Sequence, residues 1–337
     1  MTDAAVSRAV RADAAVVAEG LRKRFKDTVA LKGVDLRVEW GTIFALLGPN
    51  GAGKTTAIRI LTTILRPDGG RAQVAGFDVV TDPAEVRYRI GLAGQAAAVD
   101  ANLTGRENLR LIGRLAQLPG RLVAPRAAEL LERFGLEDAA DRPVRTYSGG
   151  MRRRLDVAAA LVQRPPILFL DEPTTGLDPQ SRNDLWMTIR ELVAQGTSVV
   201  LTTQYLEEAD RLAGRVAVVD RGLVIAEGTP AELKSRMGST VIELGLEDEE
   251  RAIRSVELLS RLDRAQPERD ASMVRLTSHD GPRLLAEVLR ALDAEGLAPV
   301  TISVREPSLD DVFLALTGHH AEGAIEAVDA TPAQAAS

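Results

Sequence analysis

Short apolar blocks alternate with helix-like stretches from Val16 to about Gly238. Ile43-Phe44-Ala45-Leu46-Leu47 and Ile167-Leu168-Phe169-Leu170 contain no polar position, which predicts strands buried on both faces. Thr56 to Leu61 and Arg152 to Leu161 read as helices. Strand and helix in alternation predict an α/β fold built on a parallel sheet.

The texture changes after Met237-Gly238. Strand-like Thr240 to Leu244, a helix around Arg251 to Leu262, strand-like Met273 to Leu276, a helix near Pro282 to Leu292 and strand-like Pro299 to Val304 predict a small C-terminal α/β domain. A last helix follows Ser308. Its Leu309, Val312, Phe313 and Leu316 share one face, with Asp310 and Asp311 near the positive N-terminal end. That face either covers the small domain's own sheet or docks another subunit. The division predicted is a tail over 1–14, a first domain over 15–238, an accessory domain over 239–318 and a tail over 319–337. Both tails are Ala-rich with scattered acids and read as disordered.

Composition removes several chemistries. The 337 residues include no cysteine, so disulfides, thiolate metal sites and cysteine nucleophiles are excluded. The three histidines, His279, His319 and His320, all lie in the C-terminal part, which leaves carboxylates and amides for any proton chemistry in the first domain. A formal net charge of −6 speaks against nucleic acid as a partner. The apolar runs fall well short of the ~20 residues that span a bilayer, and no signal peptide is evident. A soluble chain is expected, reaching a membrane only through a partner.

The most specific motif is Gly48-Pro49-Asn50-Gly51-Ala52-Gly53-Lys54-Thr55, which fills every fixed position of the phosphate-binding loop between a predicted strand and a predicted helix. Its glycines let successive N–H groups turn inward on phosphate oxygens at a helix N-terminus. Thr56 continues the loop into the helix. Lys54 supplies a point charge for the β- and γ-phosphates, and the Thr55 hydroxyl is suited to Mg²⁺. Farther on, the strand Ile167 to Leu170 ends in Asp171-Glu172 at the sheet edge where ligands of open α/β sheets bind. Asp171 is expected to reach the Mg²⁺ shell and Glu172 to polarise the attacking water. Ser148-Gly149-Gly150 stands before a helix, with Ser148 as N-cap and the glycines admitting close approach of an anion.

Taken in order, these motifs resemble the ATP-binding subunit of ATP-binding-cassette (ABC) transporters over roughly 16–238. The resemblance implies a P-loop NTPase cassette: a RecA-like core, a helical subdomain at about 96–163 and an antiparallel β subdomain. It further implies that Phe25 stacks on adenine, that Gln95 senses Mg²⁺ and γ-phosphate, and that Asp178 in Gly176-Leu177-Asp178 communicates across a dimer. Tyr147 to Met151 matches the signature loop, with Tyr for the usual Leu and Met for the usual Gln. The switch position, usually histidine, is Gln204. A glutamine amide can hold a γ-phosphate by a hydrogen bond but cannot carry a proton at neutral pH, so hydrolysis rests more heavily on Glu172.

Gln204, Tyr147 to Met151 and Glu306-Pro307-Ser308-Leu309-Asp310-Asp311-Val312-Phe313-Leu314 are similar to the daunorubicin-resistance type of exporter ATPase. That branch implies a subunit that powers drug export with ATP and Mg²⁺ from the cytoplasmic face of a bacterial membrane. Its partners would be a second copy of itself and a separate six-helix permease. Two copies would sandwich two ATP molecules, each between the phosphate loop of one and the Ser148 loop of the other. An importer ATPase, or a soluble ABC ATPase of translation or repair, shares the catalytic motifs. The soluble class usually carries paired cassettes or long coiled coils, which this sequence lacks.

Overall fold

The computed structural model describes residues 13–94, 98–236, 240–262, 267–278 and 281–317. The expected tails lie outside these residues apart from Asp13 and Ala14, and Ala14 is buried. The chain divides into two compact units between Glu227 and Gly228.

The first unit starts with β1 (Val16–Phe25), β2 (Thr28–Val38), β3 (Ile43–Leu47) and α1 (Lys54–Leu61), then β4 (Gly69–Val74), β5 (Phe77–Asp78), α2 (Pro83–Arg89) and β6 (Ile90–Ala93). Three helices follow, α3 (Gly105–Leu115), α4 (Gly120–Arg133) and α5 (Gly149–Ala160), in the region expected to be helical. β7 (Ile167–Asp171), α6 (Pro179–Ala194), β8 (Ser198–Thr203), α7 (Leu206–Leu212), β9 (Arg215–Asp220) and β10 (Leu223–Gly228) complete it. Every residue of β3, β7 and β8 is buried, and these three lie side by side in the sheet order β10-β9-β3-β8-β7-β6. β3 pairs in parallel with β8 and β9, and β7 with β8 and β6. A strand between two neighbours, with helices over both faces, has no wet side, which is why the apolar runs do not alternate. β1 does alternate, and it sits in a separate antiparallel sheet of order β2-β1-β4-β5.

Among the helices, α3 opens with a capping box between Thr104 and Glu107. The departure from Leu at Tyr147 has a local cause: its hydroxyl donates to the Ala139 carbonyl at 2.7 Å. The ring lies against the start of α3, where a Cβ at Gly105 would come within 2.4 Å of the hydroxyl, so Tyr147 and Gly105 require one another.

The second unit holds α8 (Pro230–Ser235), β11 (Thr240–Gly245), α9 (Glu249–Leu259), β12 (Pro267–Asp270), β13 (Met273–Ser278), α10 (Gly281–Ala294), β14 (Thr301–Arg305) and α11 (Leu309–Thr317). Its antiparallel sheet runs β12-β13-β11-β14, the split β-α-β-β-α-β arrangement. Ile242, Leu244, Val274 and Leu276 of the sheet form one core with Leu259, Val288 and Leu292 of α9 and α10. The sequence reading missed β12: Pro267-Glu268-Arg269-Asp270 is a proline followed by three charged residues and offers no apolar alternation. It also set the division eleven residues late, after 238 where composition changes and not after Glu227. α8 packs on α11 and so belongs with the second unit.

In α11, Leu309, Val312 and Phe313 are buried, while Leu316 is 45% exposed. The apolar face is therefore used within the unit for all but its last member. Burying each of the three stabilises the unit by about 1.5–3 kcal/mol. Asp311, 2% exposed, accepts from Arg305 at 2.6 Å and from the backbone and hydroxyl of Ser308, both at 2.7 Å. Ser308 thus caps the helix through its acid as well as its own hydroxyl, and the Arg305 guanidinium offsets the cost of burying that charge.

Candidate nucleotide site

The loop after β3 turns into α1 at Gly53, whose φ of 109° is reserved in practice for glycine. A Cβ there would also stand 2.6 Å from the Ala30 carbonyl. Lys54 comes next and is buried. Its Nζ donates to the carbonyls of Gly48 at 2.6 Å and Pro49 at 3.0 Å, and lies 3.8 Å from Glu172 Oε1. The loop from Asn50 to Thr56, with Thr28, Ala30 and Glu172, lines a cleft of about 190 Å³.

The two adjacent acids take separate partners. Thr55 Oγ1 donates to Asp171 Oδ1 at 3.0 Å, and Thr202 Oγ1 donates to the same oxygen at 2.6 Å. Glu172 adopts φ 50°, a left-handed conformation that costs a non-glycine residue ~1–3 kcal/mol. The Thr202 side chain supports the bend by accepting the Glu172 N–H at 2.9 Å. The reversal leaves Asp171 facing Thr55 and Glu172 facing Lys54. Thr55 and Asp171 together offer two hard oxygen donors, a set that suits a small divalent cation completing its shell with phosphate oxygens and water.

Ser148 caps α5, accepting the Met151 N–H at 3.2 Å. Gly149 lines a second cleft, of about 400 Å³, with Arg152, Arg153, Asp156 and, again, Glu172. Asp178 caps α6 through Ser181 N at 2.9 Å. Phe25 ends β1 with 44% exposure and lies outside the residues lining either cleft, with Lys23 Nζ 5.7 Å from its ring centroid. Gln204 follows β8, with its Oε1 buried and without a hydrogen-bond partner. Gln95 lies outside the described residues, whose flanks are fixed: Gly94 O accepts from Arg153 at 2.6 Å and Ala98 N donates to Asp156 at 2.9 Å.

Sequence reasoning passed over Thr202, Arg153 and Asp156. Arg153 also donates to the carbonyls of Asp171 at 2.8 Å and Pro173 at 2.9 Å, so one guanidinium ties the segment at Gly94 to the turn that ends β7. In sequence it is the middle of an Arg-Arg-Arg run that reads as a solvated face. Its distance of three residues from Asp156 was the available signal, since both then lie on one side of α5. Burial raises the Asp156 pKa, and the backbone donor of Ala98 opposes that shift.

Glu208 was passed over too. This carboxyl is fully buried and accepts from Trp186 Nε1 at 3.0 Å. Burial pushes its pKa up, against the hydrogen bond from Trp186 and the charge of Arg182. A raised acid contributes stability that is complete at acid pH and lost as pH rises through the folded value. Glu208→Gln keeps an acceptor for Trp186 and removes the ionisation. Its melting temperature is expected to gain on the wild type progressively from acid to mildly alkaline pH, and thermal melts across that range would reveal a flat difference if the carboxyl carried no such cost.

A parallel sheet with this loop and carboxylate pair at one edge is the arrangement of the ATP-binding cassettes. Solved structures agree: cbiO1 from Clostridium perfringens, part of an ABC transporter complex, aligns with TM-score 0.61 and 28% identity over 74% of this chain and 96% of that one. A dimeric post-hydrolysis cassette bound to ADP and Pi aligns with TM-score 0.59 and 27% identity over 64% of this chain and 98% of that one. The ABC transporter family model matches residues 31–175, and that of the ATP-binding protein DrrA1-3-like C-terminal domain matches 228–317. The daunorubicin resistance ATP-binding protein DrrA2 of Streptomyces coeruleorubidus is 55% identical, covering 91% of this chain and 96% of its own length. The doxorubicin resistance ATP-binding protein DrrA of Mycobacterium tuberculosis is 48% identical, covering 90% and 94%. The chain belongs to the DrrA-type ATP-binding subunits of ABC transporters, and is an ATPase of that class.

Proposed function

We propose that this subunit powers export of a drug-like compound through a separate membrane permease, working as two copies on the cytoplasmic face of the membrane. The observation that carries the catalytic part is the divergence of Asp171 toward Thr55 and Glu172 toward Lys54. Lys54 holds the β- and γ-phosphates by charge. Glu172 accepts a proton from water as its oxygen bonds to the γ-phosphorus, while the bond to the β-bridging oxygen breaks and ADP leaves with that electron pair. Thr55, Asp171 and Gln95 would hold Mg²⁺, which when bound neutralises charge on the phosphate oxygens. Gln204 orients phosphate through its amide, and exposed Phe25 offers a face for adenine.

Each chain carries one phosphate loop and one Ser148 loop, so a complete site needs a second chain. Relatives solved as dimers support this reading. Ser148→Arg puts bulk at an exposed helix start and is expected to leave single-chain nucleotide binding intact while abolishing ATP-dependent dimers in sedimentation. Dimers persisting in the variant would remove Ser148 from the interface.

Drug export is supported by relatives named for daunorubicin and doxorubicin resistance. The permease partner is supported by the lack, among the described residues, of any helix long and apolar enough to cross a membrane. A second reading, export of another compound, is favoured by Nod factor export ATP-binding protein I of Ralstonia nicotianae, 40% identical over 89% of this chain. Inverted vesicles carrying this subunit and a six-helix protein encoded beside it should accumulate daunorubicin with ATP. ATP hydrolysis without daunorubicin uptake would favour the second reading.

A further inference from the structure

The two edges of the second unit's sheet differ in kind. β12 at one edge is Pro267-Glu268-Arg269-Asp270, a proline and three charged residues, which is how natural sheets block further pairing. β14 at the other edge has the uncharged run Thr301-Ile302-Ser303-Val304, with Ile302 47% and Val304 50% exposed. In register these two stand opposite Leu244 and Ile242, both fully buried, so they continue the core face of the sheet to its open edge.

The free backbone groups can be assigned. Leu246 N donates to Ser272 O at 2.9 Å, on the side of β13, and Gly245 O accepts from Val300 N at 2.7 Å, on the side of β14. Odd-numbered residues of β11 therefore bond to β14, through Ser303 opposite Glu243 and Arg305 opposite Val241. Alternate residues of a strand bond to opposite sides, which leaves the N–H and C=O of Ile302 and Val304 on the outer edge. The same two residues present the exposed aliphatic side chains.

The geometry points to antiparallel pairing of β14 with β14 of a second copy of this chain, about a two-fold axis at Ser303. In that register Ile302 of each copy faces Val304 of the other as a hydrogen-bonded pair, giving four backbone bonds and closing both aliphatic pairs. Thr301 faces Arg305, so no like charges meet. A second copy is the occupant because the edge is complementary to itself in backbone donors and acceptors, in its two aliphatic side chains and in charge. The relatives solved as dimers, which align over 64% of this chain, support two copies of the cassette. The pairing deepens the two-copy reading above and gives the C-terminal unit a part in it.

The chain has no cysteine, so one introduced thiol reports the contact directly. Residues at the two-fold form a non-hydrogen-bonded pair with Cα atoms ~4.5 Å apart, within disulfide reach. Under mild copper–phenanthroline oxidation, the full chain carrying Ser303→Cys is expected to convert largely to a disulfide dimer. Glu268→Cys, on the blocked edge, is expected to stay at least ten-fold less cross-linked. Adding Ile302→Lys to Ser303→Cys should abolish the dimer without moving the melting temperature or ATP affinity. Equal cross-linking at positions 303 and 268, or a Ser303→Cys dimer unaffected by Ile302→Lys, would overturn the pairing. If Ser303→Cys fails to cross-link while Glu172→Gln still sediments as a dimer with ATP, this inference falls and the two-copy reading stands; monomers in both assays remove both.

Discussion

Glu172→Gln is expected to slow ATP turnover by ~10² or more while leaving ATP bound. The carboxylate sits 3.8 Å from Lys54 and lines both the phosphate-loop cleft and the cleft beside Gly149. Among the described residues no other carboxylate lines both clefts. Asp171 is engaged by Thr55 and Thr202, and Gln204, proposed for the switch position, cannot accept a proton at neutral pH. Glutamine preserves size and the backbone bend at φ 50° but removes the proton acceptor. Steady-state hydrolysis alongside equilibrium binding of ATP separates the two effects, and wild-type turnover in the variant would end the assignment of Glu172 as base.

Lys54→Ala should fail in the opposite way, by losing the nucleotide itself. The ammonium is 4% exposed and held by the Gly48 and Pro49 carbonyls, so its charge is aimed into the loop. A buried cation beside polyphosphate is worth much more than a surface ion pair. We expect affinity for ATP to fall by at least ~10²-fold, corresponding to about 2.7 kcal/mol or more. Removal also leaves Glu172 without its cationic neighbour, so turnover falls with binding. A variant that binds ATP as tightly as the wild type would show that the backbone amides alone hold the phosphates. Thermal melts guard against misfolding, because alanine also abandons two carbonyl acceptors.

Chemistry that lies along contiguous residues is legible in the amino-acid sequence. A phosphate loop is one uninterrupted segment whose glycine spacing sets its backbone, and Asp171-Glu172 ends a run too apolar to be anything but a buried strand. The Ser148 loop and Gln204, the proposed signature loop and switch, are marked in the sequence by their order along the chain. What the sequence could not state is which side chains meet from afar. Thr202 reaches Asp171 across 31 residues only because β7 and β8 pair in parallel with those two residues in register. Arg153 anchors the segment at Gly94 and the turn after β7, and is not one more solvated arginine, because α5 turns it inward. Tyr147 and Gly105 explain one another only once α3 starts against the ring. In the second unit the sequence marked most strands, yet Ile302 and Val304 looked like any other strand residues. Their exposure was decided by strand order, which put β14 at an edge. Local spacing determines backbone conformation and residue chemistry; register and strand order determine neighbours, because they depend on how distant segments share one core.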